Sequence, residues 1–253
     1  MAFLLAIGLF YGLTDRNQRL ADAGHYAALW IAFSVAGSIF TYLTATWGMP
    51  LCDAALARFD LWLGFDWFAW HAFVASHRAL RILFEVVYQS FLPQIVLSIL
   101  YLAHTSRTDR NSELLWTGII SLTITSLIAG CAPALGPFVP GAAPAWTTVL
   151  IALRAGALSH FTFNKLEGVI TMPSFHAVVA ILLIYAHRPP LKSFYPMLVL
   201  NVLMLASAPA QGSHYLVDVV AGIVVAVVSI WIVRTASARF GGRHYDRNVL
   251  IAS

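Results

Sequence analysis

The chain has 253 residues, 60% of them hydrophobic and only 10% charged, against roughly 25% charged in an average soluble domain. A mean hydropathy of +0.78 leaves too little polar surface to cover a water-soluble globule, and the shortage of charge excludes disorder. The net charge of +4 comes from 15 Lys and Arg against 11 Asp and Glu. These basic residues sit between apolar runs rather than in one stripe, which reads as membrane topology and not as a nucleic-acid surface.

In chain order, residues 1–13 are apolar but lack a basic leader and a small-residue cleavage site, so they read as a short or half-inserted extra segment rather than a signal peptide. Apolar runs then occur at 26–47, 79–103, 114–130, 173–186, 194–210 and 215–233. Some fall short of the roughly 20 residues a spanning helix needs, so loop residues must complete them. The expectation is an all-α membrane protein: about six transmembrane helices in one bundle, a single polytopic domain over 1–253. Residues 61–76, LWLGFDWFAWHAFVAS, are too polar to span; Trp62, Trp67 and Trp70 suit a helix lying in the headgroup layer.

If the spans alternate, Arg16 and Arg19, Arg107 and Arg110, Arg188 and Lys192, and Arg234, Arg239, Arg243 and Arg247 share one side. The positive-inside rule makes that side cytoplasmic and the protein a multi-pass cell-membrane protein. The opposite, outer face receives the aromatic segment, the connection 132–171 and the turn 211–213, and chemistry is expected there. Cys52 and Cys131 also fall on that face; they pair there or are simply two small buried side chains. Two cysteines alone build neither a disulfide framework nor a thiolate zinc site.

Two polar groups interrupt the apolar pattern on that face. TMPSFHA, residues 171–177, reads as a helix start with Thr171 before it, Pro173 and Ser174 at its cap and His176 in its first turn. Such a start offers unpaired N–H groups and a positive dipole end to an anion. QGSHYLVDVVAG, residues 211–222, puts His214 and Asp218 four apart on one helical face. Asp218 can hold the Nδ1 proton and leave Nε2 free as nucleophile or base. From His176 inward to Leu191 is about 22 Å of helix, and from Ser193 back to Ser213 about 30 Å. Tilt and a break at Pro209 absorb the difference, so the histidines return to similar depth. One imidazole attacking phosphorus while the other protonates the departing oxygen is the chemistry such a pair suits.

PSFH at 173–176 and H-x-x-x-D at 214–218 resemble the second and third signature motifs of the type 2 phosphatidic acid phosphatase superfamily, and GSHYLVDVVAG is most similar to its inositol phosphorylceramide synthase-like branch. The motif match lies within 150–222. The resemblance implies a phosphohistidine at His214, an orienting carboxylate at Asp218 and a general acid, then base, at His176. It further implies a metal-independent lipid phosphatase or phosphotransferase, without cofactor, acting on a phospholipid or polyprenyl phosphate. An inositolphosphotransferase-like transfer of a headgroup to a lipid alcohol, with an alcohol or polyol as partner, is the alternative.

Two features of the family pattern are missing. The first motif, a Lys followed seven residues later by Arg-Pro, has no counterpart, and the Arg six residues before the third-motif histidine is replaced by Ala208. The phosphate must then find other cations. Arg154 and Lys165, on the outer connection before PSFH, are the candidates, with the Ser174 hydroxyl as a further phosphate ligand or simply a cap. Arg81 and Glu85 read as a structural pair, or else Glu85 with Tyr88 and Gln89 serves hydroxyl recognition. Asp53, Arg58, Asp60 and Asp66 rim the pocket or anchor the interface. Two competing functions use the same residues: a lipid transporter or flippase with polar groups lining a path, and a metal site of His176, His214 and Asp218.

Overall fold

The structure, a computed structural model, describes residues 17–157 and 168–251, with side chains described as far as residue 239. The apolar segment 1–13 lies outside the described residues. Among the described residues the chain is all helical: α1 (Gln18–Ala45), α2 (Asp53–Trp62), α3 (Trp67–Ser76), α4 (Arg78–Gln89), α5 (Phe91–His104), α6 (Thr108–Cys131), α7 (Ala145–Arg154), α8 (Phe175–Ala186), α9 (Phe194–Gln211) and α10 (Leu216–Ile251).

Four of these helices are long and apolar enough to cross a membrane: α1, α6, α9 and the stretch Leu216–Arg239 of α10. The bent pair α4 and α5 makes a fifth when the two are counted as one span. The six expected spans are therefore not all present as spanning helices. Residues 79–103 form two helices bent by 51°, and the physical reason stands in the sequence. Pro93 sits in the first turn of α5, where it has no N–H for the carbonyl of Gln89 and its ring crowds the preceding turn. Residues 173–186 yield only the 12 residues of α8, about 18 Å. Prolines bound α8 on both sides, at 173 and at 189–190.

α8 is nonetheless the middle of the bundle. It packs against α10, α9, α6 and α5, and Ala177, Val178, Val179, Ala180, Leu182 and Leu183 are fully buried. A helix apolar on every side is what an element enclosed by its neighbours requires. Several polar residues elsewhere in the bundle bond within it. Ser34, Thr117 and Ser229 return their hydroxyls to carbonyls of Trp30, Glu113 and Val225 in their own helices, at 2.7–2.8 Å. Gln94 of α5 and Asn201 of α9 bond each other at 2.9 Å.

The expected single interfacial helix over 61–76 is two helices, α2 and α3, separated by a turn at Gly64, whose φ of 77° favours glycine. Phe59, Leu61, Trp62 and Phe68 on these helices are exposed. At the far end of the bundle Arg110 donates to the carbonyls of Ala186, Arg188 and Pro189, capping α8. Arg188 pairs with Glu113 there at 2.6 Å.

Candidate active site

The starts of α8 and α10 are tied together. Ser174 is the N-cap of α8: its Oγ accepts from the N–H of Ala177 at 3.4 Å, and its own backbone N–H donates to the carbonyl of Asp218 at 3.0 Å. The approach is close enough that Gly222, one turn further along α10, has no room for a side chain. A Cβ there would collide with the Ser174 carbonyl and the Ala177 methyl. His176, in the first turn of α8, lies face to face with Tyr88 of α4, ring centroids 3.9 Å apart and 14° from parallel, and Phe91 packs at 4.5 Å. The bend between α4 and α5 places those two aromatic rings on one imidazole.

His214 precedes α10 and its Nδ1 lies 3.6 Å from Asp218 Oδ2, the geometry of an ion pair just beyond hydrogen-bond length. Both residues are buried. Asp218 Oδ2 accepts from the N–H of Tyr215 at 2.9 Å, while Asp218 Oδ1 and His214 Nδ1 are buried without a hydrogen-bond partner among the described residues. Catalytic hydrogen bonds are often this long before substrate arrives. With Nδ1 turned to the carboxylate, Nε2 is the nitrogen available for chemistry.

Two further carboxylates hold this turn. Asp60 of α2 accepts from the N–H groups of Leu216 at 2.7 Å and Val217 at 2.9 Å, satisfying the free donors at the start of α10. Burial pushes its carboxyl above the usual carboxylate range, and those two N–H bonds pull against the shift. Asp53 accepts from the N–H groups of Leu135 and Gly136 at 2.8–3.0 Å and from the Tyr215 hydroxyl at 3.4 Å. Burial, then the neighbouring Asp53, hold the Tyr215 phenol well above its ordinary range. Gly136, at φ 72°, faces the turn so closely that a Cβ would strike the Ser213 carbonyl. Ser213 itself sits at φ 52°, a strained conformation for a residue with a side chain.

His176 and His214 line one cavity of about 540 Å³, within the usual size of ligand sites. One end is formed by Tyr88, His176 and the turn 211–214; its other walls are mainly apolar, from Trp30, Phe33, Leu92 and Ile95, with the hydroxyls of Ser34, Ser38 and Thr41 among them. Among the described residues no Lys or Arg lines it.

The structure thus brings His176, His214 and Asp218 together, and places the other expected residues differently. Ser174 is fully buried and occupied as a cap. Trp146 at the start of α7 lines the cavity, but Arg154 ends that helix, about 12 Å further along its axis. There its Nη2 donates to the Met49 carbonyl at 2.5 Å. Lys165 lies outside the described residues. Cys52 and Cys131 are free, the Cys52 thiol pushed up by burial and bonded to the Ala132 carbonyl at 3.3 Å. The expected Arg81–Glu85 pair is not among the ion pairs of the described residues, and both side chains are exposed. Nor do the described residues contain a group of three His, Cys, Asp or Glu placed to hold a metal ion, so the site of His176, His214 and Asp218 as metal ligands has no matching geometry. The roles of Asp60 and Asp53 were missed as specific bonds. Their only signal was the presence of carboxylates in an otherwise apolar segment.

No curated protein and no solved structure matches the chain. The model of the PAP2 superfamily matches residues 54–232, a stretch that begins in α2, ends in α10 and contains every side chain converging on the cavity from α4, α8 and the start of α10. The chain is a helical membrane protein of phosphatase or phosphotransferase type, and it belongs to the PAP2 superfamily.

Proposed function

We propose that the protein transfers a phosphoryl-type group on a membrane lipid through a covalent His214 intermediate, without a metal ion. The observation that carries this is the Ser174–Asp218 backbone bond, which fixes the two motifs as one unit beside a cavity with an apolar wall. In this reading His214 Nε2 attacks phosphorus, Asp218 orients and stabilises the imidazolium, and His176 protonates the departing oxygen. His176 then deprotonates water or an alcohol, which displaces His214 and completes the cycle. The N–H groups of Phe175 and His176 at the start of α8 have no partner among the described residues and face the charge on the phosphoryl oxygens. Of the two expected cations, Lys165 is retained in this proposal, because it precedes the cavity-lining Gly168 by three residues whereas Arg154 is engaged at Met49.

A second reading, headgroup transfer in the manner of the inositol phosphorylceramide synthase-like branch, is favoured by the absence of Lys and Arg from the described cavity wall. A phosphodiester carries one negative charge and needs less compensation than a dianionic phosphomonoester. Purified protein offered phospholipids, isoprenyl phosphates and inositol- or glycerol-containing acceptors in the presence of chelator tests both. Free phosphate marks the hydrolase and a new headgroup-modified lipid the transferase. Lipid movement without either product contradicts both. The proposed outer-face location rests on the arginines at the opposite end, Arg107, Arg110 and Arg188. Labelling of the exposed Cys131, at the cavity end, by an impermeant thiol reagent applied to intact cells is the expected result, and labelling only after lysis contradicts it.

A further inference from the structure

Tyr88 stacks on one histidine and reaches toward the other. Its ring lies on His176, and its hydroxyl reaches Gly212: a Cβ built on that glycine would strike the phenol oxygen on one side and the His214 ring edge on the other. The phenol oxygen and the His214 imidazole therefore converge on the same few ångströms of cavity wall. That hydroxyl makes no hydrogen bond among the described residues, although Tyr88 sits in the last turn of α4, where the bend fixes its direction. A donor held beside the proposed nucleophile, unengaged by the described residues and in a wall without described cations, has one use that its surroundings favour.

We infer that Tyr88 is a further catalytic residue, whose phenol donates a hydrogen bond to a non-bridging phosphoryl oxygen while its ring holds His176 against the reacting oxygen. The inference rests on the function proposed above. As the His214 Nε2–phosphorus bond forms, the phosphorus–oxygen bond to the lipid alcohol breaks and the His176 proton goes to the departing oxygen. In the second half, the acceptor's proton goes to His176 as its oxygen bonds phosphorus, and the phosphorus–nitrogen bond breaks. Tyr88 keeps its proton throughout and supplies charge stabilisation from a fixed position in the cavity wall.

Tyr88→Phe is the test, since it removes one oxygen that bonds nothing in the described protein and keeps the stacked ring. The expected result is a fall in kcat of about 100-fold with KM nearly unchanged and the unfolding midpoint preserved. Inhibition by orthovanadate, a mimic of five-coordinate phosphorus, should weaken by a comparable factor. A variant with wild-type kcat and wild-type vanadate inhibition overturns the role of Tyr88, as does one that raises KM alone. If the wild-type protein itself forms neither product from any lipid in the panel, it is the proposed function that fails, and the role of Tyr88 with it.

Discussion

The backbone N–H of Ser174 donates to the carbonyl oxygen of Asp218 at 3.0 Å, so the cap of one helix is built from the first turn of another. The bond involves no side chain. It registers α8 against α10 without engaging the imidazole of His176 or the carboxylate of Asp218.

Gly222 is the residue that permits this approach. In an exposed helix interior, Gly→Ala stabilises by about 1 kcal/mol. Here the added methyl meets the Ser174 carbonyl and the Ala177 side chain, so Gly222→Ala should lower the unfolding midpoint and reduce turnover at least tenfold. An unchanged or raised midpoint would show that the helices part without cost.

Asp218→Asn keeps the shape of the side chain and removes the charge that, in the proposed mechanism, orients the His214 imidazole through Nδ1. By analogy with the loss of the carboxylate behind other catalytic imidazoles, kcat should fall on the order of 10³ to 10⁴-fold. The unfolding midpoint should change little. A loss under tenfold in steady-state assays would remove Asp218 from the mechanism.

Asp60 carries a stability prediction with a definite sign. Its carboxyl is raised by burial, so the protonated form is favoured by folding. That contribution is complete below the ordinary carboxylate value of 3.8 and is lost as pH rises through the raised value. The midpoint of the wild type relative to Asp60→Asn should therefore fall over that window and run parallel above it. At neutral pH, Asp60→Ala strands the N–H groups of Leu216 and Val217, costing on the order of 2–3 kcal/mol. Opposite pH slopes in thermal unfolding would contradict this account of Asp60.

The two motifs were legible because each is local: a proline and a serine before His176, and a carboxylate one helical turn after His214. Their meeting followed from helix rise alone. The run 79–103 is a single apolar stretch whose 51° bend is marked in the sequence only by Pro93, and 173–186 falls short of a span because prolines limit α8 to 12 residues. Asp60 reaches across 156 residues to Leu216, a relation that no periodicity encodes. Arg154 carried the right chemistry for a phosphate, but the length of α7 sets it at the wrong end. Helical spacing puts Tyr88 on one face with Glu85, while its stack on His176 depends on the bend between α4 and α5.

The proposed mechanism turns on a covalent bond between phosphorus and His214. Protein quenched during turnover with a lipid labelled at phosphorus should retain label in an acid-labile, alkali-stable linkage on His214. His214→Ala should retain none, and His176→Ala, which lacks both the acid of the first step and the base of the second, should accumulate label far more slowly than wild type. Label absent from wild type under single-turnover conditions, with product still formed, would contradict the account.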